Sequence, residues 1–146
     1  IVDFHAQVQG GMVQLFLDEG GSRKIPASRL SDGTLRWLSL LAVLLHPRPP
    51  WLVCIEEPEL GLHPDMIPEL ARLLRAASER MQLVVTTHSV DLIDAFSDTP
   101  EVVQVCERHE GSTTIRRLEG AALVDWLKRY SLGELWTKGE IGGTRW

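Results

Sequence analysis

The chain has 146 residues, 44% of them hydrophobic and 24% charged, a size that fits one domain. A mean hydropathy of -0.03 is globular composition and excludes a disordered chain. The net charge of -5 argues against a domain built mainly to coat nucleic acid or an anionic membrane, though it leaves room for a local basic patch. No apolar run approaches the roughly 20 residues that span a bilayer. No basic start, apolar stretch and small-residue cleavage site stands at the beginning. The first residue is Ile1, not Met, so the expectation is a piece of something longer. Cys54 and Cys106 sit inside apolar runs and are expected to be buried thiols of a reducing compartment, with a cytoplasmic location.

The elements follow in chain order. Val2–Ile25 alternates loosely and contains the run Met12–Leu17, and Gly20-Gly21 predicts a hairpin turn with a second arm near Ser22–Pro26. Leu35, Leu38, Leu41, Ala42 and Leu45 recur at helical spacing, Ser31 or Asp32 can cap the first turn, and His46-Pro47 stops the helix. Trp51–Ile55 is an unbroken apolar run, the pattern of a strand buried on both faces. A helix over about 64–81 places Met66, Ile67, Leu70, Leu73, Leu74 and Ala77 on one face, and Leu83–Thr86 is a second buried strand. Strand, helix and strand of these lengths make a parallel βαβ unit. A short helix at about 90–96 then leads to a strand at Val102–Glu107, which pairs with Ser112–Leu118 across Glu110-Gly111. A helix at about 121–130 and a glycine-containing tail, Leu132–Trp146, close the chain.

In open α/β sheets ligands bind at the carboxyl ends of the strands. The first buried strand ends in Glu56-Glu57 and the second in Thr86-Thr87-His88-Ser89. Two anions in a partly desolvated place repel unless they share a cation or one is protonated. Magnesium answers this, one carboxylate holding the metal and the other polarising a nucleophilic water, with His88 near an oxygen of a transferring phosphoryl group. Taken singly, each element also has a plain structural reading. Glu-Glu followed by Glu59 suits a solvated loop, and His88 suits a polar helix start. Leu30-Ser31-Asp32-Gly33-Thr34 opens a helix with free N–H groups and the positive end of a dipole, which attracts phosphate, although Ser-Asp-Gly is also a common turn.

In this order and spacing, the elements resemble the second half of an ABC-type ATPase head of the SMC/RecF-like branch and its bacterial ATPase relatives. Leu30–Thr34 is similar to the signature motif and Leu52–Pro58 to Walker B. Glu59-Leu60-Gly61-Leu62-His63-Pro64 stands at the D-loop position and Thr86–Ser89 at the switch-histidine position. Leu132–Trp136 and Gly139–Gly143 resemble endings in that group. The resemblance implies an α/β fold, a P-loop NTPase-like parallel sheet with flanking helices, left incomplete by a missing Walker A strand and loop. Within it, 1–28 would be an antiparallel hairpin region. Residues 29–100 would be the core with signature, Walker B, D-loop and switch histidine, and 101–146 a hairpin and helix.

The resemblance also implies ATP and Mg2+ as cofactors. Glu56 takes the magnesium side, one methylene longer than the usual Asp, and Glu57 the catalytic base. His88 contacts the γ-phosphate, while Ser31, Asp32, Gly33 and Thr34 meet the nucleotide of a second head. His63 lies at the seam of a homodimer formed through the signature and D-loop face, or is simply a surface histidine before a helix start. No G-x-x-x-x-G-K-[ST] run is present, because none of Lys24, Lys128 and Lys138 has the preceding glycines. An N-terminal segment or another chain is expected to supply that loop and a strand beside Leu83–Thr86. DNA stands among the partners this branch allows, and a membrane does not. Two other readings stay open: a non-catalytic assembly or binding module, and a metal-dependent nuclease or hydrolase using Glu56, Glu57, Glu59 and His63. Arg108, His109, Arg116 and Arg117 read as a solvated hairpin, and Trp126, Trp136 and Trp146 as anchors of the terminal helix and tail.

Overall fold

The computed structural model describes residues 3–18, 20 and 24–143. Strands β1 (Asp3–Gln9) and β2 (Met12–Asp18) form an antiparallel hairpin, in register from Asp3 opposite Asp18 to Gln9 opposite Met12. Its two-residue turn needs positive φ at both positions, which Gly10 at 61° and Gly11 at 79° provide. The predicted hairpin is present on the other side of β2, where β3 (Lys24–Pro26) pairs antiparallel with Phe16–Asp18. Part of its connection lies outside the described residues. The Gly10-Gly11 turn, which the sequence reading passed over, adds the third strand.

Helix α1 (Asp32–Leu44) starts where expected, and Ser31 rather than Asp32 caps it, its hydroxyl accepting from the Thr34 N–H at 3.1 Å. At its far end Arg80 donates to the Leu44 carbonyl at 2.6 Å, one of the groups a helix terminus leaves without an internal partner, and to that of His46 just beyond it at 2.9 Å. Strand β4 (Leu52–Glu56), helix α2 (Ile67–Ser78) and strand β5 (Gln82–Thr86) are the predicted βαβ unit, β4 and β5 running parallel with Leu52 opposite Gln82 and Glu56 opposite Thr86. Pro64–Met66 forms a 3-10 turn, so the α-helix begins three residues later than predicted. Its buried Ile67, Leu70, Leu73, Leu74 and Ala77 pack with Leu40 and Leu44 of α1 onto Val53, Ile55, Leu83 and Val85.

The expectation of strands buried on both faces is overturned. Side chains alternate along a strand, and α1 and α2 cover one face only. On the other face Leu52 and Val84 are 50% and 49% exposed and Cys54 lies open. Among the described residues β5 pairs with β4 alone.

Helix α3 (Val90–Asp94), capped by Ser89, leads through a 3-10 turn at Pro100–Val102 to β6 (Gln104–His109), two residues later than predicted. β6 pairs antiparallel with β7 (Ser112–Arg117) as a separate ribbon, across a turn with positive φ at Glu110 and Gly111. Helix α4 (Gly120–Leu127) follows, and the expected tail folds instead into α5 (Leu132–Thr137). A Ser131–Glu134 capping box opens α5, each side chain bonding the other's backbone N–H. It docks on α3, where Gly133 donates to the Asp94 carboxylate and a side chain at 133 would collide with Val90. Leu132, Leu135 and Trp136 form a second core with Val105, Leu118 and Ile141. Cys106, like Cys54, points outward, so both thiols expected to be buried are exposed. Arg116 and Arg117 bond the carbonyls of Ile141 and Glu101. Trp136 donates to the Gly143 carbonyl as an anchor, Trp126 is 45% exposed and Trp146 lies outside the described residues. Among the described residues no helix is long and apolar enough to cross a membrane.

Candidate active site

β4 ends at Glu56, whose exposed side chain shares the open sheet face with Leu52 and Cys54. Glu57 then turns left-handed, with φ 42°, a region that costs a non-glycine residue on the order of 1–3 kcal/mol and persists only when its surroundings impose it. Three bonds impose it here. The Glu57 N–H donates to the Thr86 carbonyl at 2.9 Å, its carbonyl accepts from Leu60 N–H at 3.1 Å, and Arg36 Nη2 donates to the same carbonyl at 2.6 Å. Arg36 also reaches the Glu56 carbonyl at 3.5 Å. So placed, the half-buried Glu57 carboxylate lies with Oε1 3.7 Å from Nε2 of the exposed His88 imidazole. The sequence reading missed Arg36. It is a polar residue on a helix with an apolar face, and no local pattern marks its target 21 residues away.

Glu59 is not the solvated acid of a loop. Its Oε1 accepts from the Thr87 hydroxyl and, at 3.2 Å, from the His88 N–H, while Oε2 is buried without a hydrogen-bond partner among the described residues. A buried polar atom left unpaired costs about 1–3 kcal/mol, which the two bonds of the other oxygen offset.

The signature-like segment forms the N-terminal turn of α1. The Ser31 hydroxyl, besides capping, lies 2.8 Å from that of Thr34, Asp32 is exposed in the first turn, and Gly33 abuts the turn after β4. A Cβ at Gly33 would collide with the Gly61 carbonyl oxygen, so glycine is needed there for close backbone approach. His63 is 72% exposed, and its Nδ1 accepts from the Asp65 N–H at 3.3 Å, capping the 3-10 turn. The fold thus brings Glu57 to His88 and Gly33 to Gly61, and α1 reaches the strand tip through Arg36.

Magnesium takes hard oxygen donors, keeps several waters and relies on substrate phosphates, so one exposed carboxylate such as Glu56 at a strand tip suits it. A cage of protein ligands is a different matter: among the described residues no three His, Cys, Asp or Glu side chains converge. Glu56, Glu57, Glu59 and His63 therefore do not form the metal-only cluster that a nuclease reading requires.

A parallel strand pair with carboxylates and a histidine at adjacent tips, beside a capped Ser-Asp-Gly-Thr helix start, belongs to the fold of an ABC/SMC-like ATPase head fragment. The chain belongs to the family described as "AAA domain, putative AbiEii toxin, Type IV TA system", which matches residues 3–94. It is 29% identical over 96 residues to ABC transporter A family member 6 of Arabidopsis thaliana, covering 66% of this chain and 10% of that protein. It is 30% identical over 79 residues to the energy-coupling factor transporter ATP-binding protein EcfA of Methanosphaera stadtmanae, covering 53% of this chain and 28% of that protein. The chain therefore spans a minor part of the curated relatives it matches. A solved structure described under "Structural biochemistry of ATP-driven dimerization and DNA stimulated activation of SMC ATPases" has the same fold. Its TM-score is 0.64 at 14% identity, over 86% of this chain and 78% of that one.

Proposed function

We propose that this chain supplies the signature, Walker B and switch elements of an ATP-hydrolysing head that closes as a homodimer on nucleotide. The observation that carries this reading is the placement of the Glu57 carboxylate 3.7 Å from the His88 imidazole at neighbouring strand tips. Glu57 is the general base for the attacking water, which a carboxylate performs when held at hydrogen-bond reach of the proton it takes. His88 faces the γ-phosphate. Glu56 holds the magnesium side, where the bound ion would neutralise developing phosphate charge.

Ser31, Asp32, Gly33 and Thr34 present the N-terminal turn of α1 to the nucleotide of the second head, and its free N–H groups and dipole favour phosphate there. His63, exposed on the turn that Gly33 touches, lies at the seam. The sequence contains no G-x-x-x-x-G-K-[ST] run, and the phosphate cradle comes from a segment or chain outside these 146 residues. The open face of β4 and β5, and the edge of β5 that pairs with no strand among the described residues, are where its strand and helix would pack. DNA is a partner to test, since the structural neighbour's description names DNA-stimulated activation.

The test is ATP hydrolysis and nucleotide-dependent dimerisation of the protein together with its phosphate-loop partner. Hydrolysis with dimers that form on ATP and dissolve on turnover supports the head. A protein that binds no ATP under any such pairing is a non-catalytic assembly module.

A further inference from the structure

Glu59 has no part in the chemistry just proposed, yet it is the side chain that joins the turn after β4 to the segment after β5. One carboxylate oxygen accepts from both the Thr87 hydroxyl and the His88 N–H, across 28 and 29 residues of sequence. The Thr87 hydroxyl oxygen in turn accepts from the Ser89 N–H at 3.0 Å, and the Ser89 hydroxyl caps α3 by accepting from the Leu92 N–H at 3.2 Å. A single anchor therefore fixes the backbone on both sides of His88 and the start of the following helix. The His88 ring itself is 70% exposed and, among the described residues, has no such support beyond its approach to Glu57.

We propose that Glu59 is a positioning residue, setting the His88 backbone so that its imidazole stays in line with the Glu57 carboxylate. The inference rests on the ATPase reading for its catalytic consequence, and on the hydrogen bonds alone for its structural one. Both donors need only an acceptor at Oε1. Gln offers an amide oxygen at the same reach, Asp is one methylene too short, and Ala offers none. Misplacing a reacting group by about 1 Å can cost about 100-fold in rate.

The experiment compares Glu59→Gln, Glu59→Asp and Glu59→Ala in the complete ATPase, with kcat and KM for ATP and amide hydrogen exchange of the segment 86–92 measured without nucleotide. We expect Ala and Asp to lower kcat by about 10- to 100-fold with KM changed by less than about threefold, and Gln to retain most of it. The His88 and Ser89 amides should exchange faster in Ala and Asp and as in wild type in Gln. Unchanged exchange in Glu59→Ala overturns the proposal, as does a Gln variant as impaired as Ala. Wild-type protein without hydrolysis overturns the ATPase reading instead, and the exchange comparison still decides whether Glu59 holds the segment.

Discussion

Glu57 Oε1 and His88 Nε2 stand 3.7 Å apart across the tips of β4 and β5, and residue 57 reaches that place through a left-handed backbone turn. The contact exists because parallel register sets Glu56 opposite Thr86, and the Glu57 N–H then continues the ladder to the Thr86 carbonyl. Replacing the proposed base while keeping its shape is the direct probe. Glu57→Gln should lower kcat by about 100- to 10,000-fold while nucleotide-dependent dimers persist or strengthen. Phosphate release and light scattering in the presence of ATP and magnesium measure both.

Arg36 bonds the carbonyl of the strained residue, so its loss should act on turnover more than on binding. Arg36→Gln is expected to reduce kcat by about 10- to 100-fold with ATP affinity within about threefold of wild type. Steady-state kinetics alongside equilibrium nucleotide binding separates the two effects.

Gly33 and Ser31 carry loads of different kinds at the start of α1. Gly33→Ala forces a methyl group against the Gly61 carbonyl and should destabilise the fold by about 1–3 kcal/mol. Ser31→Ala removes the cap on the Thr34 N–H and should cost about 1 kcal/mol. Urea denaturation of each variant gives the values.

The two cysteines report on the open sheet face. Both should react with a thiol reagent in the chain by itself, since both are exposed. Cys54, on the uncovered face of β4, should become protected when the phosphate-loop segment or chain is present, whereas Cys106 on β6 should not. Equal reactivity of Cys54 in the two states would show that nothing packs on that face.

Asp98 gives a pH signature. The hydrogen bond from Arg75 holds its carboxyl below the ordinary value, burial opposes this, and the Arg75 charge adds to it. A depressed folded value means a stabilising contribution that is complete above the unfolded value and is lost as pH falls through the folded one. Asp98→Asn should therefore be slightly less stable than wild type at neutral pH, and the difference should fade as pH falls through the depressed folded value of the Asp98 carboxyl. The effect is small because the Asp98 side chain is 71% exposed. Thermal unfolding of both proteins across pH 2–7 measures it.

Much of the βαβ core was legible because its signals are local. Apolar runs of strand length, an amphipathic helix between them and prolines at its borders fall in a single stretch of sequence. The Ser131–Glu134 capping box was equally local but went unread, because the glycines around it suggested a tail. Exposure was misjudged for a different reason. Cys54 and Val84 lie in apolar runs that a two-sided sheet would bury, and burial depends on what covers each face, which a run of residues does not encode.

The amino-acid sequence alone determined the order of the elements and the residue types at the strand tips, since Glu56 ends one strand, Glu57 follows it and His88 stands two residues past the other, strands that hydrophobic runs define. Only the tertiary structure decided how those residues meet. The left-handed turn at Glu57, the reach of Arg36 to its carbonyl and the grip of Glu59 on Thr87 and His88 join positions 21 to 29 residues apart. Such bonds form where packing of α1 and α2 on one sheet face brings distant backbone groups within about 3 Å, a distance that hydrogen bonding requires and no local pattern records.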